Sequence, residues 1–503
     1  MKKGINDMKE TARLAALILC LILVTQTLAC AGDTDTEMTA PETETAEEET
    51  TRSVLPTNLP DMDWQGREFR VLGYANGAYP QFSSFEIYSD GETGEVVIDA
   101  VYRRNRLIEE KYNVKITQNL DDHDDMWTAT TVHIYRVVTS QEDLYDLVFC
   151  NVNFIGSLAR DGMFHDINGV DYIDFSSDYW NPEVNAALSY RNKLYFTTSD
   201  FSLRDKNRAY ILIYNRDLAK DHGFGNIVDL VRAGTWTIDK MTEYSKAVAG
   251  DANGNGVIDD KDNFGTAMDS YVSFATFMVG CDNTFLTKTS EDTFELTIYN
   301  EHAINSIDKV LKLTGTPSDA VFCEDWSGKV DYDYWYVANT LFNERRVLFI
   351  TTFPHELKIY SAETDFEYGI IPFPKYDEQQ KKHYTMADYM TMLFAIPATN
   401  PEPDFAGFML EALSSASTST SLQAYYEISC KTKYTYDEES AEMLDLIFSN
   451  IVFEPAVVYN IGDLTSIYFI LAESKANNFA SLYKEREKMA TTDLENLARD
   501  FDS

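Results

Sequence analysis

The chain has 503 residues, 82 of them acidic and 42 basic, for a net charge of −40. That surplus excludes nucleic acid and anionic lipid headgroups as partners, since both demand counter-charge. It leaves a neutral ligand open, and the 13% aromatic content, with 31 tyrosines, suits both large cores and stacking surfaces.

Lys2, Lys3, Lys9 and Arg13 form a basic head before the uncharged apolar run Leu14 to Val24. A short apolar run behind positive charge predicts a secretory signal over 1–29, too short for an ordinary membrane span. Thr27-Leu28-Ala29-Cys30 follows and resembles the end of a bacterial lipobox, with Thr27 where leucine is usual. The resemblance implies lipidation of Cys30 and an outer-face membrane anchor made permanent by more than one acyl chain. A plain signal peptide, or an uncleaved anchor with Cys30 incidental, is the alternative. Residues 30–60 are rich in Thr, Glu and Asp and hold no large aromatic. Such a segment cannot bury enough apolar surface to offset its ordering entropy, so a disordered acidic tether is expected there.

The signal carries +2 and the tether −7, which leaves −35 on residues 61–503. Acidity is therefore a property of the whole body. That body is long enough for two lobes of roughly 200 residues, each with its own core. Six cysteines are present, and Cys150, Cys281, Cys323 and Cys430 in the body are widely spaced without a CxxC pattern. Free buried thiols are expected; one disulfide stays open in an exported chain.

Short apolar runs at Phe69–Leu72, Leu144–Cys150, Tyr210–Tyr214, Val347–Thr351, Tyr368–Pro372 and Met392–Ile396 predict strands covered on both faces. Between them, Ile98, Val101, Tyr102, Asn105 and Ile108 repeat at helical spacing, as do Phe405, Phe408, Met409, Ala412 and Leu413. Strands alternating with helices predict an α/β fold with largely parallel sheets. The chain from about Ser440 reads as mostly helical.

The sharpest local motif places Asp251, Asn253, Asn255, Asp259 and Asp262 at positions 1, 3, 5, 9 and 12 of one loop, with Gly256 at 6 and the Val257 carbonyl at 7. That order of oxygen donors predicts a structural Ca2+ loop of EF-hand type, with a shorter Asp at position 12. An ion-free Asn/Gly-rich turn is the alternative.

Catalytic constellations are sparse. No GxSxG, HExxH, Gly-rich phosphate loop or GxGxxG occurs. Acidic residues are too numerous for any pair to be nominated as a glycosidase acid and nucleophile. Residues Asp121 to Asp125 hold His123 among four aspartates and read as an exposed acidic loop sooner than a metal site.

Five segments in order then carry a family resemblance. They are Asp146–Phe149 through Gly162–Asp166, Ile211–Leu218, Gly234–Thr237, Leu341–Phe349, and Tyr368–Pro374. Over 61–503 the chain resembles the carbohydrate-type solute-binding proteins of ABC importers, the broad maltose-binding family. The resemblance implies a two-lobed, periplasmic-binding-protein-like fold of type II, with a ligand cleft between hinge-connected lobes. It implies an N-terminal lobe of 61–205 plus 373–415 and a C-terminal lobe of 206–372 plus 416–503. The positions matching the family's contact loops are Asn151, Asn153, Phe154, Asp200, Phe201, Asp282, Asn283, Thr352, Phe353, His355 and Tyr389. Trp236 reads as a lobe anchor, and Trp335 as either a stacking platform or an ordinary helix face. The implied function is non-catalytic capture of a sugar or oligosaccharide by a monomer that delivers it to an ABC permease. A peptide or other small-solute receptor of the same fold, a cell-surface glycoside hydrolase and a surface scaffold are the competing readings.

Overall fold

Strand formation follows the apolar runs. The computed structural model describes residues 58–123, 125–426 and 438–502, so the signal, Cys30, most of the tether, Asp124 and Cys430 lie outside the described residues. The strands are β1 (Arg67–Ala75), β2 (Val114–Asp122), β3 (Leu147–Asn151), β4 (Ile211–Asn215), β5 (Phe264–Met268), β6 (Leu286–Lys288), β7 (Phe294–Leu296), β8 (Ala320–Phe322), β9 (Val347–Thr352), β10 (Tyr368–Ile371), β11 (Thr385–Met386), β12 (Met392–Ala395) and β13 (Ile451–Val452). β3, β4, β5, β9, β10 and β12 are buried along their whole length, as expected of strands with helices on both faces.

Two large sheets result, beside the two-stranded pairs β11-β13 and β6-β7. The first has the order β12-β3-β1-β2 and the second β10-β4-β9-β5-β8. Each is mostly parallel with one strand running against its neighbours. β12 is antiparallel to β3, with Met392 opposite Asn151. β4 is antiparallel to β9, with Ile211 opposite Thr352, and to β10. The chain therefore enters each of these strands at the end where the parallel strands finish. In the N-terminal lobe the helices Val96–Tyr112 and Pro403–Thr418 cover one face of the sheet, and Thr131–Thr139 and Val152–Arg160 the other. In the C-terminal lobe the helices Ile238–Val248, Val272–Gly280 and Glu301–Thr314 lie on one face, and Val337–Asn343, Leu357–Glu363 and Glu438–Phe448 on the other. Trp236 is fully buried and its indole N–H donates to the Pro372 carbonyl at 3.0 Å, which anchors the helix that follows. Cys150, Cys281 and Cys323 are free and buried. No described helix is long and apolar enough to cross a membrane.

The C-terminal segment departs from the expected boundary. Residues 416–503 do not all belong to the second lobe, although Glu438–Phe448 packs on β10 there. Beyond it the chain touches both lobes. Pro455–Val458 lies on Val152–Arg160 so closely that a Cβ on Gly156 would sit 2.1 Å from the Val458 carbonyl oxygen. Ser466–Ser474 packs on the second lobe's Val272–Gly280 and Glu301–Thr314. The last helix, Phe479–Asp500, returns to the first lobe, where Asp500 accepts from Arg160 Nε at 2.8 Å and the Phe501 carbonyl from Lys193 Nζ at 2.7 Å. The β6–β7 hairpin of the second lobe reaches the same place. Tyr190, Phe294, Tyr459 and Phe501 form an aromatic knot there, with ring centroids 5.3 to 6.0 Å apart. Sequence boundaries missed this because the joining residues are far apart in the chain.

Candidate functional site: an interlobe cleft at the strand ends

In parallel sheets the loops after the strands' carboxyl ends are free to carry function, since the helices occupy both faces. Here the ends of β1, β2 and β3 in one lobe and of β5, β8 and β9 in the other gather about the crossings 199–210 and 372–391. Arg208 on the first crossing shows the convergence. Its guanidinium lies 4.7 Å from the centroid of Phe82, in the loop after β1, and 4.4 Å from that of Phe353, directly after β9. Asp388 on the return crossing accepts from Arg208 Nε at 2.9 Å.

The second lobe supplies a wall of carboxyl groups. Asp269 follows β5 and accepts from Ser273 Oγ at 2.6 Å and Thr351 Oγ1 at 2.7 Å. Burial pushes its pKa up to about 6, although those two hydroxyls act in the opposite direction. Glu324 follows β8; its Oε1 accepts from the Tyr271 N–H at 2.9 Å while Oε2 is enclosed without a hydrogen bond. Burial raises it to about 7. Glu356 accepts from the Thr352 hydroxyl and is also raised by burial. Buried or half-buried acids whose partners are hydroxyls and N–H groups are acceptors ready for a hydroxyl-rich ligand.

Each lobe also presents an indole at this end. Trp127, in the loop after β2, is 52% exposed, and Trp335 is 48% exposed with its ring tilted against Tyr334 at 4.7 Å. Trp335 precedes Val337–Asn343, and only three residues separate that helix from β9, so it stands at the strand's cleft end. It lies in the turn Tyr334–Tyr336, ahead of that helix.

The expected contact residues divide. Phe353, His355 and Tyr389 lie at the cleft floor, with Thr352 fully buried and its hydroxyl committed to Glu356, and His355 Nδ1 pairs with the Asn207 carbonyl at 3.1 Å. Burial drives the His355 imidazole well below its ordinary pKa, so it is neutral. Asn153 and Phe154 open the helix after β3; the Asn153 Oδ1 is enclosed without a partner, and Phe154 packs partly on the core. The Tyr389 hydroxyl, 92% of whose residue surface is buried, also has none. Asn151 is buried with its amide committed to the Met126 and Trp127 carbonyls at 2.9 and 3.0 Å, so it holds the Trp127 loop.

Four expectations are corrected. Phe201 is fully buried between Phe149 and Phe394 under the Arg104 guanidinium, which makes it core. Asp200 accepts from Thr418 Oγ1 at 2.7 Å and so faces the helix Pro403–Thr418. Asp282 and Asn283 lie at the far end of Val272–Gly280, about 13 Å along the helix from its start beside Asp269. Asn283 is buried and its amide donates to Met278, Cys281 and Ser306.

Asp269, Tyr271, Glu324, Arg208 and Trp127 were missed. A usable signal existed for the first: Asp269 directly follows a strand, but Gly265 and Thr266 interrupt the apolar run that would have marked it. Elsewhere, Asp121 stands 3.3 Å from His133 Nδ1 and 3.7 Å from His123 Nε2 in a cavity of about 350 Å³. His123 is fully committed to the Ala129 carbonyl and the Asp125 N–H, so that loop is held by its own hydrogen bonds.

The calcium-type loop holds its donors in register without gathering them on one point. Among the described residues no three His, Cys, Asp or Glu side chains form a metal-ligand group. Asp251 accepts from the N–H groups of Gly254, Asn255 and Gly256. Asn253 and Asn255 donate to Asp259, and Asp262 accepts from the Ala252 and Asp259 N–H groups, closing the loop. Three carboxylates, two carboxamides and the Val257 carbonyl are a hard-cation donor set, so the chemistry fits calcium.

Two three-layered sheets, a reversed strand entering each from the cleft end, and facing loops define the two-lobed solute-binding-protein fold. No protein-family model and no curated protein matches the chain. Solved structures do. A cyclo/maltodextrin-binding protein complexed with maltotetraose is similar over 88% of this chain and 97% of its own, at 13% identity and a TM-score of 0.54. An ABC substrate-binding protein of Listeria monocytogenes in complex with cycloalternan covers 87% and 99%, at 13% identity and 0.51. A sugar transporter of Rhizobium etli in an open conformation covers 87% and 99%, at 14% identity and 0.52. At these identities the likeness establishes the fold.

Proposed function

We propose that the protein is a lipid-anchored, extracellular solute-binding receptor that captures a sugar or oligosaccharide and delivers it to an ABC permease. The observation that carries the reading is the cleft's make-up. An exposed indole on each lobe offers a flat apolar face to a pyranose ring, and Asp269, Glu324 and Glu356 offer acceptors to its hydroxyls. Phe353, His355, Tyr389 and Asn153 complete the lining. The maltotetraose and cycloalternan complexes of similar structures point to the same ligand class. The receptor is monomeric and non-catalytic, and ligand is trapped when the lobes close over it. Closure is favoured only by as much as ligand binds the closed form better than the open one. Cys30 carries the lipid, the acidic tether lifts the body off the cell membrane, and Ca2+ on Asp251, Asn253, Asn255, Val257, Asp259 and Asp262 stiffens the second lobe.

One preparation tests both halves. Full-length protein is expressed in a bacterium, recovered by phase separation in a membrane detergent, and titrated by isothermal calorimetry with linear and cyclic oligosaccharides, peptides and polyamines. Recovery in the detergent phase and saturable one-to-one heat from an oligosaccharide are expected. Partition to the aqueous phase overturns the anchor. Silence across the sugars with heat from peptides or polyamines overturns the carbohydrate reading, and turnover of the sugar overturns the non-catalytic one.

A further inference from the structure

Arg208 occupies an unusual position, at the point where the first crossing enters β4. Its ion pair with Asp388 ties the first crossing to the return crossing, and both side chains are nearly inaccessible, at 3% and 5%. The backbones are tied at the same level, the Asp388 N–H donating to the Arg208 carbonyl at 3.0 Å and Ala209 bridging Ala387. Two aromatic rings lie over the one guanidinium, and each comes from a different lobe: Phe82 at 4.7 Å from the first and Phe353 at 4.4 Å from the second. Phe353 is in turn packed on Tyr210 at 4.4 Å and stacked with His355 at 5.5 Å.

A planar cation attracts the faces of both rings, most strongly where water is excluded. A buried ion pair is weak evidence of stability, but its directional hydrogen bonds fix one geometry. The Asp388 carboxylate therefore holds the guanidinium still, and the guanidinium holds a ring of each lobe. Parting the lobes requires at least one ring to leave the cation.

We infer that Arg208 is a positioning residue that couples the two lobes, orienting Phe353 in the cleft and setting how readily the lobes separate. The coupling is a property of the protein without ligand, so it stands whether the ligand is a sugar or another solute.

The test is ligand-free. Spin labels are placed on exposed helical sites of the two lobes through Glu110→Cys and Lys246→Cys, and the interlobe distance distribution is measured by pulsed electron paramagnetic resonance. Phe82→Ala is the main variant, because the Phe82 and Ser83 carbonyls still receive Arg204 at 3.0 and 3.1 Å and keep the loop in place. Phe353→Ala removes the other ring, and Arg208→Lys keeps the charge while losing the plane. The expected result is a separated population about tenfold larger in either Phe variant, equivalent to about 1.4 kcal/mol. Arg208→Lys shifts the same way if it folds; if it does not, the two Phe variants decide. An unchanged distance distribution in both Phe variants, with or without a lower melting temperature, overturns the coupling and leaves Arg208 as packing.

Discussion

At Asp269 burial and hydrogen bonding pull in opposite directions. Burial favours the neutral acid, while the hydroxyls of Ser273 and Thr351 favour the carboxylate, and burial prevails, leaving the group near pKa 6. A folded-state pKa above the unfolded value contributes stability in acid that is lost as pH rises through about 6. The ionised form is therefore held at a cost to the fold, at the end of a strand that faces the cleft. A ligand hydroxyl donating to that carboxylate recovers part of the cost, and a hydrogen bond to a charged group contributes roughly 1.5–3 kcal/mol. Affinity for a hydroxyl-bearing ligand at this carboxylate should fall as pH drops below about 6. Asp269→Asn should weaken binding by about tenfold or more at neutral pH and flatten that pH profile, both measurable by calorimetry between pH 5 and 8. A variant whose affinity still declines in acid would move the titrating group elsewhere, Glu324 being the next choice.

Among elements, covered strands with an unbroken apolar run were legible, while β5 and β8, equally covered, and the exposed strands were not. β1, β3, β4, β9, β10 and β12 all coincide with apolar runs, because a strand between two helix layers has nowhere to place a polar side chain. β2 is an edge strand whose Lys115, Asn119 and Asp122 face water, so it carries no such run. The site was legible only where one strand end makes it. Thr352 ends β9 and Phe353 follows it directly, whereas the Phe82–Arg208–Phe353 arrangement joins three segments more than a hundred residues apart and leaves no local pattern. The loop 251–262 is the opposite case, a motif complete in twelve positions whose occupant is set by solution conditions. Its three carboxylates are each held by donors of the loop itself, with Asp262 buried at 3% exposure, and a hard divalent cation would have to take their place. Calcium at millimolar concentration should raise the melting temperature by several degrees over an EGTA control, as a ligand that binds only the folded state must. Asp251→Ala should abolish that difference while leaving the protein folded. Equal melting curves with calcium and with EGTA would assign the loop to its hydrogen bonds alone.

For the whole molecule, the two crossings are not the only joint. The β6–β7 hairpin and the last helix grip residues 188–193 of the first lobe from the second. Asp292 at the hairpin tip is the polar centre of that grip, accepting from Ser189 Oγ at 2.8 Å and the Asn192 N–H at 2.7 Å while pairing with Lys288 at 2.9 Å. Burial acts against its charge, yet the bond from Lys288 and the two bonds from the first lobe bring its pKa below the ordinary range. A lowered folded-state value means that the carboxylate stabilises the fold at neutral pH and that this contribution is lost as pH falls below about 4. The knot adds a second connection between the lobes beside the two crossings. Asp292→Ala should cost roughly 2 kcal/mol in denaturant unfolding, the loss of a charged group's hydrogen bonds. The sharper check is amide hydrogen exchange, in which 188–193 and 286–296 should exchange faster while β1, β3, β4 and β9 keep their protection. Uniform acceleration across both sheets would make Asp292 a support of the global fold, and unchanged exchange at the hairpin would show that the aromatic rings hold the lobes without it.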